Sequence, residues 1–195
     1  MARAMSRVED VLAAVEALCR LASSEGRRVC VAIDGRCGCG KSTLAEKIAR
    51  RLCGRVIHMD DFFLPLSMRT PERTAFPGWN VHIERFEREV VPYLRTDVAF
   101  EYGVFDCGRQ EIAETRRVDG RLLIVEGSYS TRPEWREQYD LTVFVTSSPD
   151  EQRRRILARS DEKVLGRFET VWIPLEEEYF KAFRVEESCD LVYKT

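Results

Sequence analysis

The sequence has few histidines and no pair of cysteines spaced as in a zinc site. Two His and seven Cys occur in 195 residues, and no two cysteines have the spacing C-x-x-C. The odd number of cysteines also argues against a framework of disulfides. We therefore expect neither a structural zinc ion nor a disulfide-stabilised extracellular module, and a reducing compartment is favoured.

Long apolar runs and an excess of one charge are also lacking. Nowhere do 18 apolar residues follow one another, and Glu9, Asp10 and Glu16 interrupt the apolar pattern near the start, so neither a membrane span nor a secretory segment is predicted. Basic residues number 31 against 33 acidic ones, which disfavours nucleic acid as a partner because phosphate neutralisation needs a basic surface. A cytoplasmic protein that binds no membrane is expected.

The pattern of strands and helices is that of one domain of ordinary size, 1–195, with 44% hydrophobic residues. Short β-rich runs lie at 28–33, 55–59, 122–125, 141–145 and 191–193. Helical patterns lie between them: a first helix with a capping box at Ser6 and Glu9, then 41–52, about 83–94 after a cap at Asn80, a helix starting at Ser148, and 171–183. This alternation predicts a doubly wound α/β fold with a mainly parallel five-stranded sheet.

Two segments interrupt the alternation. Residues 62–78 contain three prolines and predict a loop with short turns. Residues 98–105 and 110–118 alternate around Cys107 and Gly108 and predict an inserted β-hairpin.

A glycine-rich loop carries the strongest chemical signal. Residues 35–42, GRCGCGKS, match G-x-x-x-x-G-K-[ST] between a predicted strand and a predicted helix. In such a loop the backbone amides hold phosphates, Lys41 reaches the β and γ phosphates, and the Ser42 hydroxyl ligates Mg²⁺. ATP and Mg²⁺ are the predicted cofactors. The predicted nucleotide contacts in the loop are Gly35, Gly38, Cys39, Gly40, Lys41, Ser42 and Thr43. Whether Cys37 and Cys39 are redox-active is left open.

Charged residues follow the other predicted strands, at the edge where open α/β sheets bind ligands. Asp60 and Asp61 follow the second strand and Glu126 the third. A carboxylate there can accept the proton of an attacking hydroxyl or hold a metal ion. After the fourth strand an Arg-rich helix places Arg155 and Arg159 on one face, where they could stabilise a transferring phosphate.

The sequence resembles the uridine kinase and phosphoribulokinase branch of the P-loop kinases over about residues 28 to 183. The segments that carry the resemblance are VAIDGRCGCGKSTLAEKIA, HMDDFF, LLIVEG, RRRILAR and WIPLEEEYF. The resemblance implies a P-loop kinase fold in which Asp60 is the catalytic carboxylate and Glu126 lies near Mg²⁺. It also implies a mobile lid at about 153–168, with Arg155 and Arg159 as catalytic cations and Arg167 on the nucleotide.

The resemblance further implies an acceptor side formed by insertions at about 62–82 and 98–118. Its predicted substrate contacts are Phe63, His82, Tyr102 and Arg109. Three positions depart from uridine kinases, which carry Tyr at Phe63, a ribose-binding Asp at His82 and His at Cys107. The residues for phosphoryl transfer match, so a kinase is more firmly indicated than uridine as its acceptor.

The resulting interpretation is a kinase that moves the γ-phosphate of ATP to a hydroxyl of a small molecule, first of all a nucleoside such as uridine or cytidine. Alternatives are a kinase of another small alcohol or sugar phosphate and an inactive ATP-binding regulatory module. A GTPase is disfavoured because no [NT]-K-x-D segment is present, and a kinase of nucleic-acid ends by the net charge of −2. ATP versus GTP preference and a homo-oligomeric state are left open.

Overall fold

The computed structural model describes residues 3–5 and 7–195, and its strands form two sheets. The strands are β1 (Arg3–Met5), β2 (Val29–Gly35), β3 (Arg55–His58), β4 (Phe100–Asp106), β5 (Glu111–Val118), β6 (Leu122–Glu126), β7 (Leu141–Thr146) and β8 (Leu191–Lys194). Six of them form a parallel sheet in the order β1-β8-β7-β2-β6-β3. The remaining two, β4 and β5, form the antiparallel hairpin that the sequence predicts.

Helices flank the parallel sheet. They are α1 (Val8–Glu25), α2 (Lys41–Leu52), α3 (Pro71–Thr74), α4 (Ile83–Glu89), α5 (Pro149–Leu157), α6 (Glu162–Arg167), α7 (Ile173–Phe183) and α8 (Val185–Ser188). A π-helical turn at Phe168–Trp172 joins α6 to α7, and a 3₁₀ turn at Met59–Phe62 follows β3. Within the described chain, every helix is too short or too polar to cross a membrane.

The central strand β2 is buried on both faces, which explains its apolar run at residues 29–33. Val29, Val31 and Ile33 pack in a core with α1 and α2, whereas Cys30 and Ala32 pack in a second core on the opposite face. The doubly wound fold is thus confirmed. Because β6 and β7 lie on either side of β2, the strand order reverses there, and ligands bind such sheets at the carboxyl ends beside this point.

Two sequence expectations about these elements need correction. The sheet has six strands rather than five, because the three-residue β1 pairs with β8 at its edge. Three residues are too few to show the hydrophobic pattern from which a strand is predicted. Asn80 does not cap α4: His82 holds the N-cap position, and Asn80 is buried. The predicted capping residue Ser6 lies outside the described residues. Ser148 does cap α5, since its Oγ accepts a hydrogen bond of 3.3 Å from the Glu151 amide.

Candidate functional site

The glycine-rich loop, residues 35–42, connects the end of β2 to the first turn of α2. Gly35 has φ +132°, and a Cβ there would lie 2.0 Å from the carbonyl oxygen of Val145 in β7. Gly38 has φ +74°, and its Cβ would meet the Ile156 side chain of α5 at 3.0 Å. Both positions therefore require glycine, which allows the loop to pass close to the neighbouring elements.

Lys41 points back over this loop. Its Nζ donates hydrogen bonds to the carbonyl oxygens of Gly35 (2.7 Å) and Arg36 (3.1 Å) and to Ser128 Oγ (3.2 Å). These contacts hold the ammonium group beside the loop, where the sequence motif places the phosphates of a nucleotide.

A cavity of about 600 Å³ opens at this edge of the sheet. Its wall includes seven of the predicted site residues: Gly38, Lys41, Ser42, Asp60, Phe63, Glu126 and Arg159. Its wall also contains Cys37, Asn80, Gly127, Ser128, Tyr129, Ile156, Ser160, Val164, Phe168, Trp172 and Glu176. The loop, the two strand ends after β3 and β6, and the Arg-rich segment thus meet at one place.

Glu126, at the end of β6, links the loop to β3. One of its carboxylate oxygens accepts a hydrogen bond of 3.2 Å from Ser42 Oγ, and the other lies 2.5 Å from His58 Nδ1. The hydrogen bond to Glu126 raises the pKa of His58 above its ordinary value, although partial burial opposes this. The pair is therefore a charge-assisted hydrogen bond when the imidazole is protonated.

The oxygen atoms of this group suit a magnesium ion. The Ser42 hydroxyl and the Glu126 and Asp60 carboxylates line the cavity together, and hard oxygen ligands of this kind are what Mg²⁺ takes. In the part of the chain that is described, no group of three or more His, Cys, Asp or Glu side chains could hold a metal by itself. This agrees with the usual binding of Mg²⁺ by one or two carboxylates together with substrate phosphates.

The adjacent carboxylates Asp60 and Asp61 have different surroundings. Asp60 lines the cavity and is exposed to solvent, and the protein packed around its carboxyl group, followed by the nearby charge of Glu126, raises its pKa above the ordinary value. Asp61 is buried and accepts hydrogen bonds from the Tyr102 hydroxyl (2.8 Å) and from Arg116 Nη1 (3.0 Å). Asp60 is therefore the carboxylate available to a ligand.

The three arginines of the predicted lid have different positions. Arg159 lines the cavity and is exposed. Arg155 does not line it: its guanidinium contacts Glu151 (2.6 Å) and Thr195 Oγ1 (2.8 Å) and lies next to Gly40. Arg167 is exposed and lies over the Trp172 ring at 6.0 Å. Of the three, only Arg159 lines the cavity. The structure therefore does not bring all three arginines together around one site.

The predicted acceptor contacts are also divided. Phe63 lines the cavity, whereas His82, Tyr102 and Arg109 do not. Tyr102 is fully buried beneath Asp61, and Arg109 is exposed at the hairpin turn, 3.8 Å from Asp106. His82 is half-buried, and burial lowers its pKa. Tyr102 therefore supports the Met59–Phe62 turn rather than facing the cavity.

The surroundings of the two loop cysteines disfavour their thiolate forms. Burial raises the pKa of both Cys37 and Cys39. The Sγ of Cys39 lies 3.0 Å from Ser147 Oγ, away from the cavity wall. Burial thus opposes the lowering of a thiol pKa that a helix N-terminus can cause.

Glu176 is a cavity residue that sequence reasoning missed. It lies on α7, is buried, and accepts hydrogen bonds from the Cys37 amide (2.9 Å) and from Ser128 Oγ (2.6 Å). A signal was present, because Glu176 shares the apolar helix face of Tyr179 and Phe180. An acidic residue on an apolar stripe is costly to bury without partners, so it points to a polar site.

Comparison with solved structures identifies the fold. A structure described as a possible uridine kinase from Bacillus stearothermophilus matches with a TM-score of 0.66 and 19% identity, over 94% of this chain and 99% of that one. A candidate fructose transport system kinase from Silicibacter sp. TM1040 matches with a TM-score of 0.68 and 23% identity, over 90% and 97%. The YFH7 protein of Saccharomyces cerevisiae, a candidate P-loop containing kinase with a circular permutation, matches with a TM-score of 0.64 and 10% identity, over 97% and 99%.

The chain has the fold of the P-loop kinases. No protein-family model matches the sequence, and no curated protein matches it either. At 10–23% identity, these similarities show the architecture alone.

Proposed function

We propose that this protein is an ATP-dependent kinase that transfers the γ-phosphate of ATP to a hydroxyl of a small molecule. The observation that carries the proposal is the meeting of Lys41, Ser42, Glu126 and Asp60 in one cavity at the carboxyl edge of the sheet. A phosphate-binding loop alone would serve nucleotide binding. A carboxylate that is open to the same cavity as this loop adds the group that can accept a hydroxyl proton.

The charges of the cavity support a nucleotide bound together with Mg²⁺. Its wall carries two cationic side chains, Lys41 and Arg159, and three carboxylates, those of Asp60, Glu126 and Glu176. Without a metal ion this balance would repel the phosphates of ATP. When bound at Ser42 and Glu126, Mg²⁺ supplies the positive charge that neutralises phosphate oxygens.

Each protein group then has a distinct task. The backbone amides of residues 35–43 and the ammonium of Lys41 bind phosphates. Asp60 orients the acceptor hydroxyl and takes its proton, and Arg159 stabilises the negative charge of the transferring group. Arg155 and Arg167 would join only if the α5–α6 segment moves, as lids of such enzymes do.

A nucleoside such as uridine or cytidine is the first candidate for the acceptor, on the sequence resemblance to uridine kinases. Another small alcohol or sugar phosphate is the second, because His82 and Cys107 stand where uridine kinases carry Asp and His. Likeness to a candidate fructose transport system kinase adds to the second.

The test is a panel of nucleosides, pantothenate-like alcohols and sugar phosphates, with ADP release measured for the wild type and for Lys41→Ala. We expect at least one compound to stimulate ADP release by the wild type and none to do so with Lys41→Ala. Tight ATP binding without stimulation by any compound would instead support an inactive ATP-binding module.

A further inference from the structure

Helix α7 lies along the start of the glycine-rich loop. Three hydrogen bonds join a side chain of α7 to the loop or to the residue directly before it. The pairs are Tyr179 with Asp34 (2.9 Å), Glu177 with Arg36 (2.6 Å) and Glu176 with Cys37 (2.9 Å). Because the residue numbers fall on the helix as they rise on the loop, α7 follows the loop in the opposite direction.

Glu176 is the α7 member of these pairs that lines the cavity. One of its carboxylate oxygens accepts the hydrogen bond from the Cys37 amide, and the other accepts one of 2.6 Å from Ser128 Oγ. The same Oγ accepts a hydrogen bond of 3.2 Å from the ammonium group of Lys41. The carboxylate is therefore connected to the loop backbone directly and to Lys41 through Ser128.

Packing of α7 does not require a charge at position 176. Glu176 is 6% exposed and shares its helix face with Tyr179 and Phe180, which belong to the hydrophobic core. An apolar side chain would suffice for packing there, whereas a buried carboxylate costs free energy unless hydrogen bonds compensate for it. The compensating bonds run to the loop and to Ser128, so the charged residue is matched to the phosphate-binding region.

The loop benefits from a contact that fixes its backbone. Gly38 and Gly40 have φ values of +74° and +88°, and glycine has more backbone conformations available than any other residue. Phosphate binding needs the loop amides to point in fixed directions. The bond to the amide of Cys37, directly before Gly38, restricts the loop from outside.

We propose that Glu176 is a positioning residue of the kinase. It holds the Cys37 amide and, through Ser128, the ammonium of Lys41 in the arrangement that binds the phosphates of ATP. Because it acts through the loop, its loss should weaken the binding of ATP and leave the binding of the acceptor nearly unchanged. This inference rests on the proposed function and deepens it, since it adds a residue of α7 to phosphate binding.

The experiment compares the wild type with Glu176→Met and Glu176→Gln, using ATP, Mg²⁺ and the acceptor found by the panel. Methionine keeps an unbranched side chain without either carboxylate oxygen. Glutamine can keep both bonds: its Oε1 accepts from the Cys37 amide, and its Nε2 donates to Ser128 Oγ, whose proton then turns to the Gly35 carbonyl oxygen 3.2 Å away. We expect Glu176→Met to raise the KM of ATP at least about tenfold and the acceptor KM less than about twofold. Glu176→Gln should stay within about threefold of the wild type for both.

A double-mutant cycle tests the connection through Ser128. Ser128→Ala removes the hydroxyl between Glu176 and Lys41 and should also raise the KM of ATP. In the double variant Ser128→Ala/Glu176→Met the rise should be smaller than the product of the two separate rises, because both changes break the same chain of hydrogen bonds. A rise equal to that product would overturn the proposed connection to Lys41. If Glu176→Met does not fold, Ser128→Ala alone has to show the rise.

Glu178→Gln is the matched control, because it removes the same charge from an exposed position of the same helix. It should leave both KM values unchanged. Turnover with an unaltered KM of ATP in Glu176→Met would overturn the role of Glu176 and leave the kinase in place. Equal losses in Glu176→Met and Glu176→Gln would also overturn it, since glutamine can keep the hydrogen bonds.

Titration calorimetry with ATP and Mg²⁺ separates positioning from competition. Tighter binding of ATP by Glu176→Met and Glu176→Gln than by the wild type would overturn the inference, because the carboxylate would then compete with phosphates for the Cys37 amide. Weaker binding by Glu176→Met alone is the expected result. Neither calorimetric binding nor turnover of ATP by the wild type would contradict both the inference and the proposed function.

Discussion

The Tyr102 hydroxyl donates a hydrogen bond of 2.8 Å to Oδ2 of Asp61. Together with Arg116 it fixes Asp61 on the hairpin side of the Met59–Phe62 turn. The neighbouring Asp60 then lies on the cavity side. A contact between the inserted hairpin and the turn after β3 thus distinguishes two adjacent carboxylates: Asp61 is held by the hairpin, and Asp60 is open to the cavity.

The first prediction concerns these two carboxylates. Asp60→Asn removes the proposed proton acceptor and should lower kcat on the order of 10²- to 10⁴-fold, with nucleotide binding retained. Asp61→Asn should lower kcat much less, because Asp61 does not line the cavity. Steady-state kinetics with the acceptor identified by the panel measure both. Near wild-type kcat in Asp60→Asn with a collapse in Asp61→Asn would reverse the assignment.

A second prediction tests the support that the hairpin gives. Tyr102→Phe removes the hydroxyl from buried Asp61 and should lower the free energy of unfolding by about 1–2 kcal/mol. Tyr139→Phe is the matched control, because the Tyr139 hydroxyl is buried without a partner and its removal should be neutral or stabilising. Urea unfolding measures both variants. Equal losses in the two would mean that the bond to Asp61 contributes nothing particular.

A third prediction follows from the pKa of His58. Because its hydrogen bond to Glu126 raises this pKa in the folded state, the pair stabilises the protein fully below the unfolded pKa of histidine. The stabilisation is lost as the pH rises through the folded pKa. The difference in free energy of unfolding between wild type and His58→Asn, without nucleotide, should therefore be largest near about pH 6 and shrink above it.

Urea titrations at several pH values, from about 5.5 to about 9, check the third prediction. A difference that stays constant over that range would show that protonation of His58 does not contribute to the pair.

A fourth prediction uses two glycines with left-handed backbones. Gly26 has φ +68° with open space around its Cβ position, so Gly26→Ala should cost about 1 kcal/mol from backbone strain alone. Gly35→Ala adds a collision with the Val145 carbonyl and should cost at least about 3 kcal/mol or prevent folding. Thermal unfolding compares them. Similar losses would mean that β2 and β7 can separate easily.

Sequence patterns predicted the parts of the molecule that depend on local signals. The phosphate loop, the buried strand before it and the Ser148 cap need only neighbouring residues. Asn80, Tyr129 and Glu176 could not be assigned to the cavity in this way, because the contacts that bring them there join distant segments. Arg155 is predicted to lie at the transferring phosphate, but it contacts Glu151 and Thr195, and Thr195 lies 40 residues away in the chain.

The most direct measurement of the central claim is the transfer of labelled γ-phosphate. Wild type, Lys41→Ala and Asp60→Asn are incubated with γ-labelled ATP, Mg²⁺ and the acceptor panel, and the products are separated. The label should appear as a phosphomonoester of one small alcohol with the wild type, and at a rate lowered on the order of 10²-fold or more with either variant. Label found only as inorganic phosphate, or transferred equally by Asp60→Asn, would contradict a kinase that uses Asp60 as its base.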